Sequence, residues 1–237
     1  MSGPRVVARV APLVCVLLGG CTGLLQSSTK PEQIYYLRAP GAGGAGGAGA
    51  TAVVAAGAPA PGAAPSLRVG HPVAAPGLDT PHIVLVQADH RMNYYTGSRW
   101  PATIPYVVES LVVETLRGSG RWSSVEDSAS PFPSDYLLQL RVRRFEADYT
   151  AGGGAPLVEV LIDCIIGRRE GRDVIATFTA AGSAPAAANR LGEVVAAFEQ
   201  ASDAALSSLS QQAAAAVQGD AERAAQNGAN PVPSMRR

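Results

Sequence analysis

Cysteine is scarce in this chain: Cys15, Cys21 and Cys164 are its three thiols among 237 residues. So few thiols leave no room for the disulfide framework on which many small exported domains depend. Histidine is equally sparse. His71, His82 and His90 fall in no HxH or HxxxH pattern, which speaks against a metal centre, and we expect neither a metal nor a bound cofactor. Asp89-His90 comes without a GxSxG elbow, and Gly152-Gly153-Gly154 comes without a following Lys-Ser/Thr, so neither nucleophilic catalysis nor a phosphate cradle is indicated. There is one lysine, Lys30, and the 19 basic and 19 acidic side chains cancel without any basic block. That removes the electrostatic footprint expected of a nucleic-acid-binding protein. Aromatics make up only 5% of the chain, which makes any local concentration of them noticeable.

What the N-terminus does contain is specific. Arg5 and Arg9 precede a nine-residue apolar run, Val10 to Leu18, too short to span a bilayer, which takes about 20 residues. A positive start, a short apolar stretch and small residues at a cleavage point are the marks of an export signal. Leu18-Gly19-Gly20-Cys21 resembles a lipobox, which makes residues 1–20 a lipoprotein signal peptide and Cys21 the acylated residue. The competing reading is an ordinary secretory signal or an uncleaved anchor, with Cys21 a free thiol. Removal of 1–20 leaves 17 basic against 19 acidic side chains, a net charge of −2. Acylation through two or three chains, at about 0.8 kcal/mol per buried CH₂, would hold the protein on a membrane. Thr22 stands where an Asp would mark inner-membrane retention, so the outer membrane, facing the periplasm, is the expected location.

Residues 21–65 read as a lipidated stem ending in Ile34-Tyr35-Tyr36-Leu37-Arg38 and then a Gly/Ala/Pro stretch from Gly41 to Pro65. With no large side chains to bury, that stretch is expected to be a flexible tether of roughly 25–30 Å root-mean-square span, letting the folded part stand off the bilayer. A single domain is expected over 66–215, with a disordered tail over 216–237.

Within the domain, Leu67–Val73, His82–Gln87 and Met92–Ser98 read as strands, and Trp122–Glu126 as a short one. Ile104, Val107, Val108, Leu111, Val112 and Thr115 recur at helical spacing, with Thr103 as N-cap. Tyr136–Phe145 alternates strictly, with Tyr136, Leu138, Leu140 and Val142 inward and Gln139, Arg141 and Arg143 outward. Leu157–Ile166 repeats the pattern with Cys164 inward, and Asp173–Ala181 completes an antiparallel meander. Asn189 is expected to cap a second helix whose stripe runs Leu191, Val194, Val195, Phe198, Ala201, Ala205 and Leu209, fraying from Ala213 onward. The expected fold is α+β, a two-layer sandwich of a largely antiparallel sheet with two helices packed on one face.

One segment stands out: Tyr94-Tyr95-Thr96-Gly97-Ser98-Arg99-Trp100. Aromatics and arginine dominate interface hot spots, so Tyr94, Tyr95, Arg99 and Trp100 are candidate partner-binding residues. The plainer alternative is that the rings pack the strand-to-helix corner, with Arg99 stacked on one of them.

The order of these features resembles the ABC-type transport auxiliary lipoprotein family: a lipobox, a Tyr-Tyr-Leu segment, strands leading into Tyr94-Tyr95 and Arg99-Trp100, an amphipathic helix, then Tyr136-Leu-Leu-Gln-Leu-Arg-Val-Arg-Arg-Phe-Glu. The resemblance covers most of residues 16–210. It implies a non-enzymatic component of an envelope lipid-transport system, docking to an MCE-domain protein and an ABC permease–ATPase complex, with self-association left open. A different class, a structural envelope-assembly lipoprotein of pilotin-like or cell-wall-associated type, would use the same sandwich.

Overall fold

The computed structural model describes residues 31–40 and 64–229; the signal peptide, Cys21, most of the Gly/Ala/Pro stretch and residues 230–237 lie outside the described residues. Gln33 onward forms one compact unit. Its elements in chain order are β1 (Gln33–Ile34), β2 (Ser66–Val69), β3 (Val73–Ala74), β4 (His82–Val86), β5 (Met92–Arg99), α1 (Ile104–Gly118), β6 (Ser124–Glu126), β7 (Tyr136–Asp148), β8 (Leu157–Arg168), β9 (Val174–Pro185) and α2 (Leu191–Ala229).

The α+β sandwich is as expected, and its helices lie on one face of the sheet. The two long ladders, β7 with β8 and β8 with β9, are antiparallel. The short strands bring a difference. β2, β3 and β4 line up one after another along the free edge of β7, and all three run parallel to it. The expected strand over Leu67–Val73 is therefore broken at Gly70-His71-Pro72, where proline has no N–H to donate. A parallel pairing needs a crossover, and residues 87–135, carrying β5, α1 and β6, supply it.

Tyr136, Leu138, Leu140 and Val142 are buried, as are Val158, Val160, Ile162, Cys164 and Ile166 on the neighbouring strand. The alternation then slips. A register shift between Val142 and Arg144 marks a β-bulge at Arg143, so Arg143 and Arg144 both face solvent and Phe145 turns into the core. There Phe145 meets Trp100 at a ring-centroid distance of 5.9 Å and Phe198 of α2 at 5.2 Å, while Trp100 meets Phe198 at 5.2 Å.

α1 buries the expected stripe from Ile104 to Thr115. Thr103 occupies the N-cap position but makes no side-chain capping bond; its carbonyl accepts the Val107 N–H at 3.1 Å. Asn189 does not cap α2 either. Its Oδ1 accepts the Tyr149 hydroxyl at 2.7 Å, and the first turn closes on the Arg190 carbonyl instead.

α2 corrects the expected tail. It continues to Ala229 with Ala213, Ala214 and Val217 buried, where fraying from Ala213 and a disordered segment from 216 were expected. Two forces extend it. Alanine is the strongest helix former, and Asp220, 5% exposed, accepts hydrogen bonds from the Tyr136 hydroxyl at 3.0 Å and the Arg168 guanidinium at 2.9 Å. Burial, followed by the Asp220 carboxylate, raises the Tyr136 hydroxyl above its ordinary pKa.

Helix and sheet approach closely where side chains are smallest, with Gly182 of β9 facing Ala201 and Ala205 of α2. A Cβ on Gly182 would overlap the Ala201 carbonyl oxygen and lie 2.8 Å from the Ala205 nitrogen, both backbone atoms that cannot turn aside. Gly182→Val is expected to cost about 3 kcal/mol or more, as overpacking does; urea unfolding measures this, and wild-type stability would contradict the close approach. Asp220→Ala leaves Tyr136 and Arg168 without their acceptor, at an expected cost of about 1–3 kcal/mol. Amide exchange should lose protection across 213–229 while β7 and β8 stay protected.

Candidate docking surface

The aromatic segment Tyr94 to Trp100 does not form one surface. Trp100 is fully buried between Phe145 and Phe198, so it cannot anchor a partner. Its position at the end of β5, where its N–H reaches the Pro81 carbonyl at 2.7 Å, turns the ring under α2. Tyr95 is half-buried, and its hydroxyl lies 2.8 Å from that of Tyr149, which donates to Asn189. Burial and then the Tyr149 hydrogen bond push the Tyr95 phenol far above the ordinary tyrosine range. This chain of hydroxyls ties β5 to the β7–β8 hairpin and to the start of α2. Arg99 is half-buried and its carbonyl accepts the Tyr35 N–H at 2.9 Å. Of the four residues, Tyr94 alone has a mainly outward ring, 44% exposed and 5.2 Å from that of His82. The plainer alternative, corner packing, describes Trp100 and Tyr95.

The titratable groups are placed for structure. His71 Nδ1 lies 2.7 Å from Glu109 Oε2, and Glu109 Oε1 accepts the Ser128 N–H at 2.9 Å, joining the β2–β3 break to α1 and to the loop after β6. Burial works to raise the Glu109 pKa, but its hydrogen bonds to Ser128 and His71 outweigh it and hold the carboxyl below its ordinary value. His90 sits at a turn with φ 63°, beside the Asp89–Arg91 ion pair. Burial pushes the Cys164 thiol up to about 12, which keeps it protonated and unreactive. Among the described residues no group of three or more His, Cys, Asp or Glu side chains is arranged to hold a metal ion.

The sheet face opposite the helices carries what the sequence reading missed. Strict alternation assigned it to polar side chains, yet Leu137 on β7 and Ile165 on β8 share its parity. Cross-strand register sets Gln139, Ile165 and Thr177 in one row and Leu137, Gly167 and Val174 in the next. Ile165 is 39% exposed and Val174 64%. Two adjoining depressions of about 350 and 690 Å³ share Leu137, Gln139 and Ile165. Arg141, Arg169 and Arg172 edge them, accompanied by Asp163 and Asp173, while the Arg168 guanidinium is held by Asp220 on the helix side. An apolar floor with a mostly cationic rim can hold an apolar anchor and pair with carboxylate or phosphate oxygens around it. The legible signal was an apolar residue at outward parity on two neighbouring strands.

Comparison with known proteins places the chain. No curated protein matches the sequence. A crystal structure of a Xanthomonas campestris protein of the DUF330 family superposes with a TM-score of 0.63 at 24% identity, covering 81% of this chain and 97% of that one. The crystal structure of an uncharacterised protein superposes at 0.56 and 12% identity, covering 77% and 99%. Both support the fold. The family model for the ABC-type transport auxiliary lipoprotein component matches residues 50–217, a span that includes strands β2 to β9, α1 and most of α2. The chain therefore belongs to the ABC-type transport auxiliary lipoprotein family, envelope-associated components of ABC-type transport.

Proposed function

We propose that the protein is a non-enzymatic subunit of an envelope lipid-transport system, anchored through acylated Cys21 at the outer membrane and facing the periplasm. It docks to an MCE-domain protein and, through it, to an ABC permease–ATPase complex. The observation that carries this reading is the arginine-edged apolar face of β7, β8 and β9, uncovered among the described residues, in a chain of a transport-auxiliary family. Isolated exposed apolar residues need no explanation, but apolar positions in adjacent rows of a sheet form a patch that can be buried in an interface. No step of this role requires a cofactor beyond the covalent lipid, and none is proposed. Among the described residues no helix is long and apolar enough to cross a membrane. The lipobox ending at Cys21 is what supports the lipid anchor.

Affinity purification from detergent-solubilised membranes tests the reading. The wild-type chain should recover MCE and ABC components, and Ile165→Glu with Val174→Glu should reduce that recovery about tenfold, the effect of one lost hot spot. Both positions are exposed, so thermal unfolding of the double variant should match wild type. Recovery of neither component by the wild type would overturn the proposal, and recovery of secretin or cell-wall components in their place would favour the envelope-assembly alternative.

A further inference from the structure

Residues 33–40 behave differently from the stem expected of them. β1 pairs in parallel with the end of β5, Gln33 against Ser98 and Ile34 against Arg99. The Tyr35 N–H then donates to the Arg99 carbonyl at 2.9 Å, and Leu37 and Ala39 are buried at 7% and 4% exposure within the main core. The segment is a strap laid on the domain. Its inward row is Tyr35, Leu37 and Ala39. Its outward row is Ile34, 54% exposed, Tyr36, 74% exposed, and Arg38, also exposed.

This changes the distance between anchor and domain. The Gly/Ala/Pro stretch begins and ends on the same compact unit, since Pro40 before it and Ser66 after it both belong to that unit. It cannot set the stand-off from the membrane. That distance is set by residues 22–32, eleven residues between Cys21 and the strap. Whatever conformation they take, eleven residues reach at most roughly 40 Å. The strap is thus the first part of the domain to follow the lipid, and a linker this short holds it near the bilayer at high effective concentration.

An aliphatic side chain, a tyrosine and an arginine in one outward row match the composition of a membrane interface. Tyrosine is enriched at headgroup level, an aliphatic side chain partitions toward the acyl boundary, and arginine pairs with anionic headgroups. We propose that Ile34, Tyr36 and Arg38 form a membrane-contact surface that seats the domain against the bilayer carrying its own anchor. This rests on acylation of Cys21. Individually weak side-chain contacts suffice because the anchor has already brought the strap to the surface.

The test uses the full acylated chain in vesicles of phosphatidylethanolamine and phosphatidylglycerol. Trp100 is buried and Trp122 partly so, giving a constant background against which a Tyr36→Trp indole is read, with Phe132→Trp as the exposed control elsewhere on the domain. Flotation of every variant with the vesicles establishes anchoring first. The emission added by Tyr36→Trp should be quenched by lipids brominated on the acyl chain near the headgroup, at the depth of about 5–10 Å where interfacial side chains reside. It should be protected from aqueous iodide relative to the soluble Cys21→Ser form. Phe132→Trp should show iodide quenching and no bromolipid quenching. Adding Ile34→Glu to Tyr36→Trp should restore iodide access while flotation persists. Equal iodide quenching of Tyr36→Trp in the floated and soluble forms would overturn the proposal and leave anchoring intact. A wild-type chain that does not float would overturn the anchoring reading, and the proposal with it.

Discussion

Trp100, Phe145 and Phe198 meet with ring centroids 5.2–5.9 Å apart, and this contact joins the β5–α1 corner, the central strand β7 and the helix α2. Each such aromatic pair contributes about 0.5–1.5 kcal/mol beyond the area it buries. The contact depends on one irregularity, the bulge at Arg143. Without the extra residue, β7 would turn Phe145 to solvent and Arg144 inward. The bulge therefore supplies the third ring of the core and places two adjacent arginines on the outer face, where Arg143 reaches Asp163 at 3.6 Å and Arg144 pairs with Glu159. Such exposed ion pairs contribute little stability. They hold the arginine side chains against the sheet.

The same contact relocates the functional question. A tryptophan that closes the core is unavailable for recognition, and Tyr95 is committed to its hydroxyl chain with Tyr149 and Asn189. Among the described residues, what is left uncovered is the far side of the sheet. Both helices are spent on the near side, where Gly182, Ala201 and Ala205 allow close contact. The open face and the strap then divide two proposed tasks, the face meeting a transport partner and the strap meeting the membrane. A short linker and a seated domain would restrict how the face is presented.

Much of this was legible from periodicity. Helical spacing found the buried stripe of α1, and alternation placed Cys164 and its neighbours inward on β8 with correct parity. Local pattern failed where a non-local contact decides. The parallel docking of β2, β3 and β4 along β7 joins residues more than 60 positions apart, and nothing in their own sequences states it. The Arg143-Arg144 doublet was a readable sign of the bulge, since strict alternation cannot turn two consecutive arginines outward. The alanine-rich end of α2 carries little of the apolar bulk that would mark a buried helix; there alanine supplies propensity and Asp220 supplies the anchor. A local density of Tyr, Arg and Trp serves core and interface equally, so composition alone could not separate Trp100 from Tyr94. Leu37 and Ala39 were overlooked because the Gly/Ala/Pro stretch separates them from the rest of their core.

The central claim is that the open face of β7, β8 and β9 meets the transport partner. Site-specific photo-crosslinking in living cells tests it most directly, with a photoreactive residue placed at Ile165 and, for comparison, at Tyr94. An adduct containing an MCE-domain protein is expected from position 165 and none from position 94. An MCE adduct from position 94 with none from 165 would contradict it.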